Sequence, residues 1–393
     1  MKELTADFLI EQVLARNPSL AQMTAAWQAV SARYPQVTSI DDPMLMGRIG
    51  PGALGSNNVN GGFMLEISQK LPFPGKRKLR GDGVQAEANA AGLDIEDMRL
   101  QLIEASQTAF YDYYLVARAM EWNDESLKLL QRAKQDASIR YEAGKVEQQD
   151  VLQADVEIGR ERERRLGLEE MGQITIARIN TLMHFPPDNP LPLPPRDIKL
   201  LETIPLAQEL RSMALSRRPE LQALTNRIAV EQAGLALAKK EVFPDVEVMA
   251  GYDSFWQEKE LRAQLGMRIN LPVYKAKRIG AIAEAQAKIA QRQAELDRQT
   301  VQVHFQVQEA YEKVIKAEKS VRLYETTILP AAELNAKAAR SSYVAGKIAA
   351  VSRIEAERNL VNLRDRYYEA IADYFRRRAT LDRVVGGPIG RPE

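Results

Sequence analysis

The sequence predicts a mainly helical α+β fold in which very long, coiled-coil-like helices alternate with short two-faced strands. Three observations carry this. The chain repeats itself at an offset near 202 residues, it holds long stretches without proline, and some segments alternate strictly between apolar and polar residues.

The repeat is read from landmarks that keep their order. Arg140-Tyr141-Glu142-Ala143-Gly144-Lys145-Val146 recurs as Ser341-Ser342-Tyr343-Val344-Ala345-Gly346-Lys347-Ile348, and Asp150-Val151-Leu152-Gln153-Ala154 as Ser352-Arg353-Ile354-Glu355-Ala356. Asn17-Pro18-Ser19-Leu20 echoes Arg218-Pro219-Glu220-Leu221, Tyr34-Pro35 echoes Phe243-Pro244, and Gln69-Lys70-Leu71-Pro72 echoes Ile269-Asn270-Leu271-Pro272. Lys76-Arg77 returns as Lys277-Arg278. The division expected is a first repeat over 1–185, a proline-rich linker over 186–203, a second repeat over 204–385 and a frayed tail over 386–393.

Each half reads as two short helices, a strand pair and two very long helices. In the first half the opening helices are expected over roughly 4–16 and 18–34, and the long ones over 82–143 and 147–183, parted at Gly144. In the second half the long stretches cover roughly 276–345 and 348–385, parted at Gly346, with Pro330 expected to kink or interrupt its helix. At 1.5 Å per residue, ~62 helical residues span on the order of 90 Å, which no ordinary globular core needs. Their Ala, Gln, Glu, Lys and Arg with scattered Leu, Ile and Val fit coiled-coil-like packing with one wet wall.

The strands come next. In residues 261–271, Leu261, Ala263, Leu265, Met267, Ile269 and Leu271 share a face opposite Arg262, Gln264, Arg268 and Asn270. Residues 63–71 repeat the pattern, as do Val246, Val248, Ala250 and Tyr252 against Glu247, Met249, Gly251 and Asp253. A fourth candidate, 37–49, is interrupted by Asp41, Asp42 and Pro43. Such lengths and faces suit either strands of a membrane barrel or soluble hairpins packed on the helices. Four strands cannot close a barrel, and open edges are not tolerated in lipid, so a membrane role requires several chains to share one barrel. Three copies would supply twelve strands; eight strands from two copies would be too narrow for a conduit. Lys76, Arg77, Lys78 and Arg80, like Lys275, Lys277 and Arg278, fall where a long helix begins and oppose its dipole, which suggests lipid phosphates or interfacial water as partner, or simply a solvated surface.

Composition excludes several functions. The 54 basic and 53 acidic residues nearly cancel, so no global field favours nucleic acid. There is no cysteine, which removes disulfides, thiolate zinc sites and cysteine nucleophiles. Nowhere do 18 apolar residues run together, so no transmembrane helix is expected. The N-terminus lacks the apolar core of a signal peptide, which fits a cytoplasmic chain or a mature segment with an added Met.

Two halves, each a strand pair followed by long helices parted at a glycine, resemble the outer membrane factor (TolC-like) family over about residues 4–385. The most specific pieces are Tyr-x-Ala-Gly-Lys followed by Asp150-Val151-Leu152-Gln153-Ala154, and Leu71-Pro72-Phe73-Pro74-Gly75-Lys76-Arg77. The latter, with Phe243-Pro244-Asp245-Val246, is similar to the heavy-metal cation efflux branch (CzcC- and CusC-like). The resemblance implies a homotrimer with a shared twelve-strand transmembrane β-barrel, four strands per chain, and a trimeric α-barrel reaching into the periplasm. It implies a passive, non-enzymatic exit duct, without cofactor, for substrates delivered by an inner-membrane pump of the resistance-nodulation-division type through a periplasmic adaptor. Ala143, Gly144, Lys145, Ala345, Gly346 and Lys347 match the turns that meet the adaptor. Asp150, Tyr343 and Glu355 match positions of the closed entrance. Ser352 stands where an acidic residue is frequent, and Ile348 where an arginine is found, so the gate's polar network differs here. The absent signal and lipidation cysteine are a second departure, explained most simply by truncation; a lipoprotein full-length form would be in keeping with the family. Drugs or secreted proteins are the alternative cargo, and a soluble coiled-coil scaffold the alternative class.

Other signals carry less. His184 and His304 lie 120 residues apart without ligand-spaced neighbours, so no metal site is expected. Met44, Met46 and Met64 read as gap-filling or lipid-facing surface, with soft-metal contact the alternative. Gly144 could be a helix C-cap and Asp150 a helix N-cap. Nothing points to acid–base or covalent catalysis.

Overall fold

The computed structural model describes residues 3–53, 62–198, 200 and 204–390. The connection 54–61, linker residues 199 and 201–203, and the two chain ends lie outside the described residues. Two similar runs of elements follow one another, each with short helices, a strand pair and long helices. The first run is α1 (Ala6–Arg16), α2 (Pro18–Ser31), α3 (Arg33–Thr38), β1 (Met44–Ile49), β2 (Phe63–Leu71), α4 (Lys76–Glu142) and α5 (Gln148–Leu182). The second is α6 (Ala207–Arg217), α7 (Pro219–Lys240), β3 (Val246–Asp253), β4 (Ala263–Ile269), α8 (Lys275–Leu323), α9 (Leu329–Val344) and α10 (Ala350–Val385).

Local chemistry sets the boundaries. Thr5 caps α1 by accepting the Phe8 N–H at 3.3 Å, and Pro18 and Pro219 open their helices where a missing N–H costs nothing. The helix expected over 18–34 is instead two, because Pro35 is tolerated only in a first turn and a new helix therefore starts at Arg33. The candidate strand 37–49 shrinks to β1 for a related reason. Thr38 Oγ1 donates to the Tyr34 carbonyl at 2.8 Å and Ser39 Oγ to that of Pro35 at 2.6 Å, so this stretch closes α3. Leu261 and Leu271 fall outside β4, the former in a short 3-10 turn. Pro330 does not break its helix outright. A π turn over Tyr324–Ile328 absorbs the missing hydrogen bond and restarts the helix with Pro330 in its first turn.

The described chain forms two compact units, each drawing on both runs: Met1–Ala21, Glu96–Arg218 and Thr300–Glu393 in one, Gln22–Ile95 and Pro219–Gln299 in the other. In the first, Leu4, Leu9 and Val13 pack against Leu102, Ala109, Phe110, Tyr113, Ile179 and Met183. The proline-rich connector is anchored there: buried Asn180 donates to the carbonyls of Pro187 and Asn189 at 3.1 and 2.7 Å, and the Leu4 N–H to that of Leu193 at 2.9 Å. The tail expected to fray does not do so through residue 390. Gly386, at φ 94°, ends α10, Ile389 is buried, its N–H donates to Asp382 Oδ1 at 3.1 Å, and Arg378 holds its carbonyl.

The second unit carries the sheet, ordered β1-β2-β3-β4 and antiparallel throughout. Around its helices Arg227 grips Asp94 at 2.6 and 2.8 Å, and Arg33 pairs with Glu87 at 2.9 Å.

Candidate functional site

The sheet register joins the four alternating segments into one two-faced surface. Leu45 lies opposite Ile67, Ile49 opposite Phe63, Leu65 opposite Tyr252, Val248 opposite Met267 and Ala250 opposite Leu265. Apart from Gln69 and Gly47, every paired residue on this face is apolar or aromatic. No helix of the unit covers it: Leu45 is 75% exposed and Leu265 91%. Nine residues at ~3.3 Å tilted by ~40° rise about 23 Å, close to the apolar band of a membrane barrel. The other face carries Arg48, Glu66, Ser68, Lys70, Glu247, Asp253, Gln264 and Arg268, with Arg268 paired to Glu247 at 3.0 Å. It also carries Met44, Met46 and Met64. Among the described residues the outer edges of β1 and β4 have no strand partner.

The basic residues at the strand-to-helix junctions separate into two kinds. Lys76 does not face outward: it is 1% exposed, and Nζ donates to Asp245 Oδ1 and to the Phe243 carbonyl, both at 2.9 Å. Burial works against ionisation of Asp245, but the bonds from Lys76 and from the Phe73 N–H outweigh it and hold the carboxyl below its usual range. Lys76 thus sits in an internal ion pair and not on the lipid-facing, interfacial or solvated surface expected of it. Arg77 donates to the Thr38 carbonyl at 3.2 Å, and Arg278 to the carbonyls of Pro272, Tyr274 and Glu241 at 2.8, 3.2 and 3.1 Å. Lys78, Lys275 and Lys277 are exposed, and Arg80 is half-buried.

The first unit holds the two helix breaks. At the end of α4, the Gly144 N–H donates to the Tyr141 carbonyl at 2.9 Å and that of Lys145 to Arg140 at 2.8 Å; at the end of α9, Gly346 donates to Tyr343 at 3.0 Å and Lys347 to Ser342 at 2.9 Å. These are matching Schellman caps. Both glycines are left-handed, φ 68° and 71°, with nothing within 4 Å of an added Cβ, so backbone conformation alone selects them. Ala143, Gly144, Lys145, Ala345, Gly346 and Lys347 are all exposed.

Beside these turns Tyr343 is 4% exposed, its ring between the guanidinium groups of Arg140 at 4.8 Å and Arg353 at 5.2 Å. Arg140 also donates to the Tyr343 carbonyl at 3.2 Å, and Arg353 to Glu357 at 3.3 Å. Burial, then the charge of Asp150, raises the Tyr343 hydroxyl's pKa. Burial and Glu147 raise that of Asp150, which lies in the first turn of α5; the N-cap position belongs to Glu147. Asp150 and Tyr343 are thus brought together, while Ser352 and Glu355 point to solvent on the opposite side of α10 from Arg353 and Glu357. Sequence reasoning missed Arg140, Arg353 and Glu357. The four-residue spacing of Arg353 and Glu357 was the available signal, common to many solvated helix faces.

A family model described as outer membrane efflux protein matches residues 9–183 and 210–387. The cobalt-zinc-cadmium resistance protein CzcC of Cupriavidus metallidurans is 24% identical over 328 residues, 82% of this chain and 76% of that one. Among solved structures, CusC aligns with a TM-score of 0.81 at 15% identity over 98% of this chain and 92% of its own. The outer membrane protein VceC of Vibrio cholerae aligns at 0.78 and 19% identity, covering 98% and 96%.

Proposed function

The chain belongs to the outer membrane efflux protein family, and from that premise we propose that it is one subunit of a homotrimeric, non-enzymatic exit duct in the bacterial outer membrane. The observation that carries this is the apolar sheet face, uncovered by the chain's own helices and flanked by two open strand edges. In lipid each edge needs a partner, and β4 of one copy beside β1 of the next provides it. Three copies then share a twelve-strand barrel with the polar face toward the lumen. The doubled order of elements supports a tandem duplication with repeats over 1–185 and 204–385.

The exposed turns at Gly144 and Gly346 are the surface offered to a periplasmic adaptor, which links the duct to an inner-membrane pump. The Tyr343 cluster beside them, with Asp150, is the closing element; Ser352 and Glu355, exposed on α10, face the pore. Lys78, Lys275 and Lys277 remain for lipid headgroups. The cargo is heavy-metal cations, on the strength of the relative named for cobalt, zinc and cadmium resistance. Loss of cobalt and zinc tolerance in a deletion strain, restored by this chain, tests the cargo; unchanged tolerance sinks it.

The membrane reading is tested on one strand. Leu265→Arg places a charge on the apolar face and should weaken barrel insertion by about 2–4 kcal/mol, whereas Gln264→Arg, on the polar face, should leave it within about 0.5 kcal/mol. Folding into lipid vesicles under a urea series reads both. Equal effects would show that the two faces do not meet different solvents.

A further inference from the structure

Four helices of the first unit, α4, α5, α9 and α10, line a cavity of about 110 Å³. Each turns residues one helical turn apart toward it, such as Ser126 and Leu130 of α4 or Ala336 and Arg340 of α9. Leu130, Ile354 and Val361 give it an apolar wall. Most of its charged groups are already paired. Arg340 and Arg364 donate to Glu357 and Glu333 at 3.2 and 2.8 Å, and Arg358 lies 3.8 Å from Glu157. Glu161 accepts from Asn123 at 2.6 Å. The exception is one oxygen of Glu357. The residue is 8% exposed and its Oε1 accepts from both Arg340 and Arg353, but Oε2 is buried and accepts nothing.

A buried carboxylate oxygen without a donor is costly and marks a missing partner. The arginines of the wall are committed elsewhere, so the donor comes from outside the chain. Water is a poor answer, because a held water makes about three hydrogen bonds and Leu130, Ile354 and Val361 offer none. The same three residues accept hydrocarbon. A molecule with a cationic donor at one end and a short apolar body at the other satisfies both parts of the wall. Size narrows the class further, since the volume takes only about four water-sized atoms. Trp122 already holds the Arg364 guanidinium 4.2 Å from its ring, so the aromatic cage that suits a quaternary ammonium is lacking. A primary ammonium, with three N–H donors, fits the carboxylate. Glu357 also joins the cavity to the Tyr343 cluster, since Arg353, bonded to its Oε1 at 3.3 Å, lies 5.2 Å over that ring.

We propose that this cavity binds a short primary alkylammonium ion, its nitrogen on Glu357 Oε2 and its chain against Leu130, Ile354 and Val361. The site lies within one chain, so it goes beyond the duct reading and does not depend on it. The test uses the full chain in detergent with n-butylammonium as probe, ionic strength matched with sodium chloride, and follows hydrogen exchange by mass spectrometry. A ligand of about five heavy atoms should bind with Kd on the order of 1 mM. At about 10 mM it should therefore slow exchange about tenfold around Arg340 and Glu357. n-Butanol, the same chain without the charge, should leave exchange there unchanged. Glu357→Gln removes the anion, and Ala336→Leu fills the cavity while keeping Glu357; each should abolish the slowing. Glu163→Gln, at an exposed position of α5, should keep it. Should Glu357→Gln fail to fold, Ala336→Leu and the n-butanol comparison on the wild type still decide. No slowing in the wild type, equal slowing by n-butanol, or slowing that survives in Ala336→Leu overturns the inference, and the cavity then holds water only. The oligomeric mass of the same sample tests the duct separately: a monomer that binds n-butylammonium overturns the duct and supports this site.

Discussion

The two strand-to-helix junctions carry the same Lys-Arg pair and do different work. Lys76-Arg77 opens α4 and Lys277-Arg278 opens α8, yet Lys76 is buried while Lys277 is exposed. The difference lies in the partner. Phe243-Pro244-Asp245 supplies a carboxylate to Lys76, whereas the matching Tyr34-Pro35-Gln36 has a neutral amide, turned back to the Ala32 carbonyl at 3.0 Å. The two helix breaks, by contrast, share one backbone solution.

The largest effect that can break this comparison is at Lys76. Lys76→Met strands the Asp245 carboxylate and should destabilise the folded protein by about 3–5 kcal/mol, while Lys277→Met should change it by less than about 0.5 kcal/mol. Denaturant unfolding of the detergent-solubilised protein measures both, and similar losses would mean that the junctions are not distinct after all. Next comes Tyr343→Ala, which removes a buried ring held between two guanidinium groups. A loss of about 3 kcal/mol is expected, with Tyr343→Phe keeping most of it because its hydroxyl has no hydrogen-bond partner among the described residues. If Tyr343 closes the duct, single-channel conductance should rise for the alanine variant only.

Gly144→Ala and Gly346→Ala should each cost about 1–2 kcal/mol, and equally, since only the left-handed φ is at stake. Unequal costs would show that one turn carries a load that the other does not. The smallest effect is the pH response, opposite in sign at the two places. Asp245 has a lowered folded pKa, so its contribution is present above the ordinary carboxylate range and lost as pH falls through the folded value. Asp150 has a raised one, so its contribution is present below the unfolded pKa and lost as pH rises through the folded value. Acidification from neutral pH toward ~4 should therefore tighten the α4–α5 turn, and still lower pH should loosen the 72–78 junction. Hydrogen exchange at the two segments reports this, and Asp150→Asn should abolish the first response alone.

Local patterns made much of the fold legible. Period-two alternation marked β2 and β3 to the residue, because a strand between two different environments must write both into its side chains. Glycine in a long helical pattern marked both breaks, because only glycine takes the left-handed cap without strain. Less legible was α3, where Pro35 starts a helix within what read as the end of one, and the docked end after Gly386, whose anchors Arg378 and Asp382 belong to the preceding helix.

By itself the sequence determined the doubled order of elements, the two faces of the strands and the caps of the long helices, since each depends on neighbours within a few residues. Only the tertiary structure decided which lysine is buried, that Tyr343 sits between Arg140 and Arg353, and that Met44, Met46 and Met64 share a face with charged residues. Those outcomes depend on partners such as Lys76 and Asp245, 169 residues apart, and contacts at that range are set by how strands and helices pack, which no local periodicity records.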